Sequence, residues 1–280
     1  MNILNLNLIL DVLIYSLIPL GLWISFRIMR YPDLAIEQVF VLGGVIFGLI
    51  SEFTTNPIAF IPSFIIASVF LGILISFFRY RLSLNPIILS LIFSYIFYSL
   101  SLYLMGRPNL SLLEYYNENV PKKTLLIIAL SILVVISVAY HYFFKSNKGS
   151  KVVATGCNPD LSKRIGLQSF LHGSIGISMS YFIVMLGGAL YSLKLRNADI
   201  SYGGGFLLMS IFIVLICRLF INRISFIKNA IAIIIATFIY TLILQFIISL
   251  NFPSELTRGF YAIMLLLLVI FSPKSNIKLF

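Results

Sequence analysis

Residues 58–78 read IAFIPSFIIASVFLGILISFF, a run of 21 residues that contains no charged side chain. A helix that crosses the hydrocarbon core of a bilayer needs about 20 mostly apolar residues, because it rises only about 1.5 Å per residue. Backbone groups in lipid must also be hydrogen-bonded within their own segment, which a helix achieves. The run therefore predicts a transmembrane helix over Ile58–Phe78.

Eight further apolar stretches lie along the chain, and the nine together predict an all-α polytopic membrane protein with one transmembrane domain over residues 1–280. The second and seventh stretches are short for a crossing and are expected to be broken or tilted. The other predicted spans are Leu8–Ile28, Leu34–Ile50, Pro86–Met105, Thr124–Phe144, Phe170–Leu193, Phe206–Phe220, Ile227–Leu250 and Leu256–Phe271.

The composition supports the membrane class and excludes several others. Hydrophobic residues make up 60% of the 280 residues and charged residues 10%, whereas soluble domains are about a quarter charged. Cys157 and Cys217 have no ligand-like spacing, so neither a metal site nor a disulfide framework is expected. No phosphate-binding Gly-rich loop and no hydrolase motif occurs, so we expect neither an enzyme nor a cofactor. No cleavage site follows the first apolar run, which is expected to remain as a span.

The formal net charge of +11 is interpreted as topology-setting charge and not as a nucleic-acid surface, because the basic residues lie between the apolar runs. If the basic loop 145–168 is cytoplasmic and the spans alternate, 14 of the 20 Lys and Arg residues fall inside. The inner side then carries +11 and the outer side 0. This predicts an extracytoplasmic N-terminus and a cytoplasmic C-terminus.

An internal repeat is suggested by sliding the chain by 166 residues, which places Arg30 on Arg196 and Asp33 on Asp199. Six of 25 positions in this register are identical. Five spans separate the two copies, so the copies would enter the membrane from opposite faces, as in many transporters. We therefore expect inverted halves over residues 8–144 and 170–272.

Acidic residues at membrane edges are costly and often functional, and this makes Asp33, Glu37 and Asp199 candidates for a translocation path. The Gly203-Gly204-Gly205 run interrupts the second copy and joins this candidate set. An alternative role for Asp33 and Asp199 is to cap the helices that follow them.

The segment 145–169 is expected to contain a short cytoplasmic helix. Asn158 can cap it, Pro159 suits its first turn and Gly166 can end it. A basic helix between two spans is a candidate docking element, and an ordinary connecting loop is the alternative. The residues assigned to it are Gly156, Asn158, Pro159, Leu161, Lys163, Arg164 and Gly166.

Four stretches together resemble the permease subunits of ATP-binding-cassette importers of the branched-chain amino acid type, and within them the branch associated with tryptophan- and tyrosine-like binding proteins. The stretches lie between the first and seventh predicted spans. They are Ile24-Ser-Phe-Arg-Ile-Met-Arg-Tyr-Pro-Asp-Leu34, Met105-Gly-Arg-Pro-Asn-Leu110, the Gly-x-Asn-Pro element within Ala154–Leu167, and Ala198-Asp-Ile-Ser-Tyr-Gly-Gly-Gly205.

The sequence also departs from that family. The first Pro-Asp-Leu is usually followed by Thr-x-Asp-Gly-Ser-Phe, whereas Ala35-Ile-Glu-Gln-Val-Phe40 stands here. The shifted acid and the missing glycine put the usual range of solutes in doubt. An acidic residue is also common after the seventh span, where this chain has Cys217-Arg218.

The resemblance implies a bacterial inner-membrane importer in which a binding protein outside the cell delivers an amino acid or similar solute. Two permease chains, expected to be a homodimer in membrane lipid, would form the pore, and two cytoplasmic ATP-binding subunits would hydrolyse ATP. The segment 154–167 would then seat in an ATP-binding subunit. The alternative is a secondary carrier driven by an ion gradient, with Asp33, Glu37 or Asp199 as its proton site.

Overall fold

A computed structural model describes residues 6–54, 59–113, 121–220, 226–249 and 257–271. Within these residues the chain forms eleven α-helices and two short strands. The helices are α1 Leu6–Trp23, α2 Ile36–Ser51, α3 Phe60–Ser76, α4 Pro86–Met105, α5 Lys122–Lys145, α6 Asn147–Cys157, α7 Pro159–Arg164, α8 Ser169–Leu195, α9 Phe206–Phe220, α10 Phe226–Ser249 and α11 Thr257–Phe271.

Seven segments of the described chain are long and apolar enough to cross a membrane, and this agrees with the predicted all-α polytopic class. A helix lies at each of the nine predicted span positions. The two of these helices outside the set of seven are shorter, since α2 has 16 residues and the described part of α11 has 15. Sixteen residues of helix are about 24 Å long, less than the ~30 Å hydrocarbon core. The total of nine crossings therefore stays a prediction.

Helices α1 and α3 both continue into a π-helical turn before they end. These turns are Ile24–Ile28 after α1 and Phe77–Arg81 after α3. A π-helical turn interrupts the regular hydrogen-bond ladder and is frequently found at functional sites. Both turns lie where the chain leaves the bundle on the side of α6 and α7.

The long helix α8 forms the centre of the bundle and packs along α1, α2 and α3. Small residues allow these close approaches. A Cβ atom at Gly43 would meet the backbone of Met185, and one at Gly188 would overlap the carbonyl oxygen of Phe40. Close backbone contact of this kind is the usual basis of helix association in lipid, where apolar burial between helices provides little driving force.

A small β-ribbon was not expected from the sequence. Strand β1, Asn109–Ser111, pairs antiparallel with β2, Asn197–Asp199, so that Leu110 lies opposite Ala198. The strands follow the ends of α4 and α8, where Gly106 and Arg196 adopt positive φ angles and reverse the chain. Pairing then satisfies the backbone groups of both short connections.

Candidate translocation and coupling sites

Asp33 lies between α1 and α2 and is fully buried. Its Oδ1 atom accepts hydrogen bonds from the backbone N–H of Ala35, at 3.1 Å, and from the hydroxyl of Tyr181 in α8, at 3.4 Å. The first bond forms a local turn that leads the chain into α2, close to the expected capping role. The structure therefore places Asp33 inside the protein and not on an open surface.

Glu37 lies in the first turn of α2 and reaches the start of α9. Its Oε1 atom accepts the backbone N–H of Gly205 at 3.1 Å and that of Leu207 at 2.7 Å. N–H groups at the start of a helix lack intrahelical partners and carry partial positive charge, so a carboxylate suits them. Glu37 thus joins the beginnings of the two short helices.

Helix α2 begins deep in the bundle. The ring of Phe40 lies against Gly187 and its carbonyl oxygen against Gly188, in the second half of the 27-residue helix α8. A span that starts beside the interior of another helix is discontinuous, which is typical of helices at transport sites.

Helix α9 also begins inside the bundle, set back from the end that carries the β-ribbon. There Asp11 near the start of α1 forms an ion pair with Lys194 near the end of α8. Tyr15 lies one turn further along α1, about 6 Å deeper, and its ring is 5.5 Å from that of Phe206, the first residue of α9.

Five aromatic rings surround this junction of α2 and α9. The ring of Phe206 is 4.8 Å from that of Phe40, 5.5 Å from that of Tyr15 and 5.7 Å from that of Tyr191. Tyr202 packs edge-on against Tyr191 at 5.1 Å. Tilted and edge-to-face pairs are the favourable arrangements of aromatic rings. The rings therefore fix the place where Glu37 meets α9.

Asp199 and the glycine run occupy different positions from each other. Asp199 ends β2, where its carboxylate accepts the N–H of Ser201 at 2.7 Å and the side-chain amide of Asn109 at 3.0 Å. Gly203 is buried against α2, with Val41 and the backbone of Glu37 beside it. Gly205 has a φ of +101°, a conformation that glycine adopts without strain.

Of the six predicted path residues, the structure brings Glu37, Gly203 and Gly205 together. Gly204 is exposed between its two neighbours. Asp33 bonds to Ala35 and Tyr181, and Asp199 bonds to Ser201 and Asn109, so neither joins the Glu37 cluster.

The two connections that the 166-residue shift superimposes have the same local geometry. Arg30 and Arg196 are both left-handed, with φ angles of 47° and 53°, and each follows a long helix. Three residues later, Asp33 and Asp199 each accept the backbone N–H two residues further on. A positive φ is uncommon for a non-glycine residue, so its recurrence at matched positions is informative.

The predicted short helix of the loop between α5 and α8 is present as α7. Asn158 caps it by accepting the N–H of Leu161 at 3.0 Å, Pro159 is its first residue, and Gly166 follows it with a φ of +81°. The helix that precedes it, α6, was not predicted. Its cap is Ser146, whose hydroxyl accepts the N–H of Gly149 at 3.2 Å.

Helices α6 and α7 contact the π-helical ends of α1 and α3. Gly156 lies against the carbonyl oxygen of Ile28 so closely that a Cβ atom would overlap it. Arg30 donates to the carbonyl oxygen of Cys157 at 3.1 Å, and Lys163 donates to the carbonyl oxygen of Tyr80 at 3.4 Å. Lys163 therefore points toward the bundle, although we expected it to suit an outer interface.

The remaining surface of α7 is open and partly apolar. Leu161 is 54% exposed and Ile165 is 63% exposed, with exposed Arg164 between them. Ile165 was missing from the predicted set, although its spacing of four residues from Leu161 places both on one helical face.

Comparison with known protein families gives a match over nearly the whole chain. The family described as "Branched-chain amino acid transport system / permease component" matches residues 4–269, nearly the whole chain. The chain belongs to this permease family.

Two similar proteins agree with that assignment. A tyrosine transport system permease protein of Clostridioides difficile (strain R20291) is 23% identical over 242 residues, which cover 86% of this permease and 82% of the relative. An uncharacterized protein of Rickettsia prowazekii (strain Madrid E) is 31% identical over 290 aligned positions, which cover 97% and 98% of the two chains. No solved structure matches the permease at a significant level.

The permease is thus a membrane component of an ATP-binding-cassette transport system and not an enzyme. Systems of this kind contain ATP-binding and substrate-binding partners. Among the residues that the structure describes, no group of three His, Cys, Asp or Glu side chains could hold a metal ion.

Two residues with prominent contacts were missed by sequence reasoning. Arg79 was assigned only to topology, and Tyr181 was not singled out. Arg79 binds the carbonyl oxygen of Met29, 50 positions away, and Tyr181 binds Asp33, 148 positions away, so only the tertiary fold reveals these contacts.

Proposed function

We propose that two copies of this permease form the pore of an importer for an amino acid or a similar solute. A substrate-binding protein outside the cell would deliver the solute, and two cytoplasmic ATP-binding subunits would drive transport. The solute class rests on the family description and on the related tyrosine transport permease. The inner membrane of a bacterium is the proposed location.

The observation that carries the coupling part of the proposal is the position of α7. Its exposed face presents Leu161, Arg164 and Ile165, while its other side bonds to the end of α3 through Lys163. A docked ATP-binding subunit would therefore push directly on helix ends that continue into the bundle. The sequence contains no nucleotide-binding loop of its own, so in an ATP-driven importer a partner subunit would hydrolyse the ATP.

The junction of α2 and α9 is the proposed control point of the path. Both helices begin inside the bundle, and the Glu37 carboxylate holds the first N–H groups of α9. A relative movement of α2 and α9 would break these two bonds and open or close the route. Gly203 and Gly205 allow the chain to turn at this point.

An inverted repeat is consistent with the order of the helices. When the chain is shifted by 166 residues, α1 to α4 overlap α8 to α11 in order. The matched turns at Arg30 and Arg196 add to this correspondence. We propose that residues 8–144 and 170–272 are the two halves, in which α1–α4 match α8–α11, with α6 and α7 in the connection between them.

The proposal is tested by uptake into membrane vesicles that contain the whole transport system. Radiolabelled tyrosine and leucine are the first probes, followed by the other standard amino acids. We expect uptake that requires ATP on the side of α7 and survives collapse of the proton and sodium gradients. Uptake that ignores ATP and follows an ion gradient would instead establish a secondary carrier. If the system is driven by ATP but takes up none of the amino acids, only the proposed solute class is refuted.

A further inference from the structure

The interior of the described chain contains two buried charged residues, one acid and one base. These are Asp33, with 0% of its surface exposed, and Arg79, with 9%. All the other charged side chains for which exposure is described are at least partly open to the surroundings. A buried charge is costly unless an opposite charge compensates it, so the presence of one of each sign calls for an explanation.

Tyr31 lies between these two charges. The guanidinium of Arg79 is 5.2 Å from the centre of the Tyr31 ring and 4.9 Å from that of Tyr80. Tyr31 is fully buried and is separated from Asp33 by a single residue, Pro32. The acid therefore lies on the short, buried connection between α1 and α2, and the base, in the π-helical turn after α3, packs against the same connection.

Arg79 also binds the end of the first span. Its Nη2 atom donates to the carbonyl oxygen of Met29 at 3.0 Å and to that of Arg30 at 3.4 Å. Carbonyl groups at the end of a helix lack intrahelical partners and carry partial negative charge, which a guanidinium compensates. Arg79 thereby fastens the end of α3 to the start of the connection that contains Asp33.

Four polar atoms around these residues have no hydrogen-bond partner among the described residues. They are the hydroxyls of Tyr31 and Tyr80, the Nη1 atom of Arg79 and the Oδ2 atom of Asp33. One guanidinium donor and one carboxylate acceptor are thus left without a hydrogen-bond partner on the two sides of Tyr31. The two side chains form no direct ion pair, so their charges compensate each other across this ring.

The same residues contact the coupling helices. Arg30 donates to the end of α6, and the carbonyl oxygen of Tyr80 accepts from Lys163 in α7. On the other side of the connection, Asp33 binds Tyr181 of α8, and α2 begins three residues later with Glu37 in its first turn. One route by which a displacement of α6 and α7 can reach the junction of α2 and α9 therefore runs through Arg79 and the connection that contains Asp33.

We propose that Arg79 and Asp33 form a buried, mutually compensating charge pair that fixes the α1–α2 connection to the coupling helices. Arg79 is thus a positioning residue for transport, which acts through α2 and touches no solute. The role in coupling rests on the proposed importer function, whereas the charge pair itself does not.

A double-mutant cycle tests the pair. The variants are Asp33→Asn, Arg79→Gln and the combination of both, with Arg79→Lys as the charge-preserving variant. Arg81→Gln is the matched control, because Arg81 lies in the same π-helical turn but is exposed, over the ring of Phe170. The first readout is the thermal midpoint of the purified permease in detergent, and the second is radiolabelled tyrosine uptake per ATP hydrolysed by the complete system.

Each single neutralisation leaves one buried charge without its partner and is expected to lower the uptake-to-hydrolysis ratio roughly tenfold and to reduce the thermal midpoint. The combined variant is expected to recover most of both losses, and Arg81→Gln to match the parent. Additive losses in the combined variant would overturn the pair. If Arg79→Gln does not insert into the membrane, recovery of insertion in the combined variant supports the pair, and continued failure overturns it.

The outcomes also separate this inference from the proposed function. A parent protein whose uptake is independent of ATP refutes the importer, whereas the thermal midpoints still decide the charge pair. An ATP-driven parent in which Arg79→Gln keeps the full uptake-to-hydrolysis ratio overturns the positioning role alone.

Discussion

The Glu37 carboxylate meets the beginning of another helix through two backbone N–H groups, those of Gly205 and Leu207. Hydrogen bonds to a charged group contribute about 1.5–3 kcal/mol each, roughly twice as much as neutral ones. A glutamine at this position would keep the shape and one acceptor oxygen but lose the charge. Glu37→Gln therefore changes the charge at this position while the side-chain volume stays nearly constant.

We predict that Glu37→Gln lowers uptake roughly tenfold, since about 1.4 kcal/mol of the α2–α9 attachment would be lost. The amount of permease in the membrane is expected to stay close to that of the parent. Glu52→Gln is the matched control, because it makes the same chemical change at an exposed position just beyond the end of α2. Measurement is of initial uptake rates normalised to permease content. Equal rates in Glu37→Gln and the parent would show that the charge of Glu37 has no part in transport.

At the residue scale the sequence identifies candidates but not their partners. Asp33, Glu37 and Asp199 are conspicuous because charges are rare in apolar surroundings. Their separate roles depend on what the fold places beside them, namely Tyr181, the start of α9 and Asn109. Arg79 is the clearest example of a residue that the sequence does not single out. A basic residue at the end of a predicted span is already explained by membrane topology, and only its buried contacts reveal a further role.

Among the elements, α7 is the one whose function can be tested most directly. We predict that Leu161→Asp combined with Arg164→Glu abolishes solute-stimulated ATP hydrolysis by the complete system. Loss of one central interface side chain often costs about 2 kcal/mol, which is about a thirtyfold loss of affinity. Phosphate release is measured with and without solute, in membranes that contain equal amounts of the variant or the parent permease.

The control for this prediction lies at the ribbon end of the molecule. Leu113 is 53% exposed and Arg107 is exposed, so Leu113→Asp with Arg107→Glu makes the same two chemical changes away from α7. This pair is expected to leave solute-stimulated hydrolysis unchanged. Normal stimulated hydrolysis in the α7 variant would mean that α7 is an ordinary connecting loop element, the alternative that the sequence left open.

The elements differ in how well the sequence predicts them. Apolar length alone locates a helix at all nine predicted span positions, because lipid leaves few other structures open to an apolar run. Helix α6 escapes prediction because it is short, polar and contains Gly149 and Gly156. Those glycines look like helix breakers in the sequence, but in the fold they allow contact with Phe143 and Ile28. The ribbon is likewise a product of two distant helix ends that happen to meet.

At the scale of the whole molecule, two groups of polar contacts lie at opposite ends of α1 and α8. One group joins the ends of α1 and α3 to α6 and α7 through Arg30 and Lys163. The other contains the ion pair of Asp11 with Lys194 and the ribbon of β1 and β2. Helix ends that the charge distribution assigned to one side of the membrane are therefore neighbours in the fold. This grouping supports the predicted alternation of α1 to α5 and α8, although it does not say which end is cytoplasmic.

The sidedness is decided by labelling from one face of the membrane. The predicted inner side carries the whole net charge of +11, and positive charge is retained on the cytoplasmic side. We therefore predict that a cysteine at Ser150, exposed in α6, reacts with an impermeant maleimide only after spheroplasts are permeabilised. A cysteine at Ser111, exposed in β1, should react in intact spheroplasts. Both are introduced in a Cys157→Ser background, because Cys157 is exposed at the end of α6 and would otherwise be labelled itself.

Labelling of position 150 in intact spheroplasts, with position 111 protected, would show that the protein has the opposite orientation in the membrane. The face with Leu161 and Ile165 would then lie outside the cell, where no ATP-binding subunit could dock, and the coupling proposal would fail together with the topology.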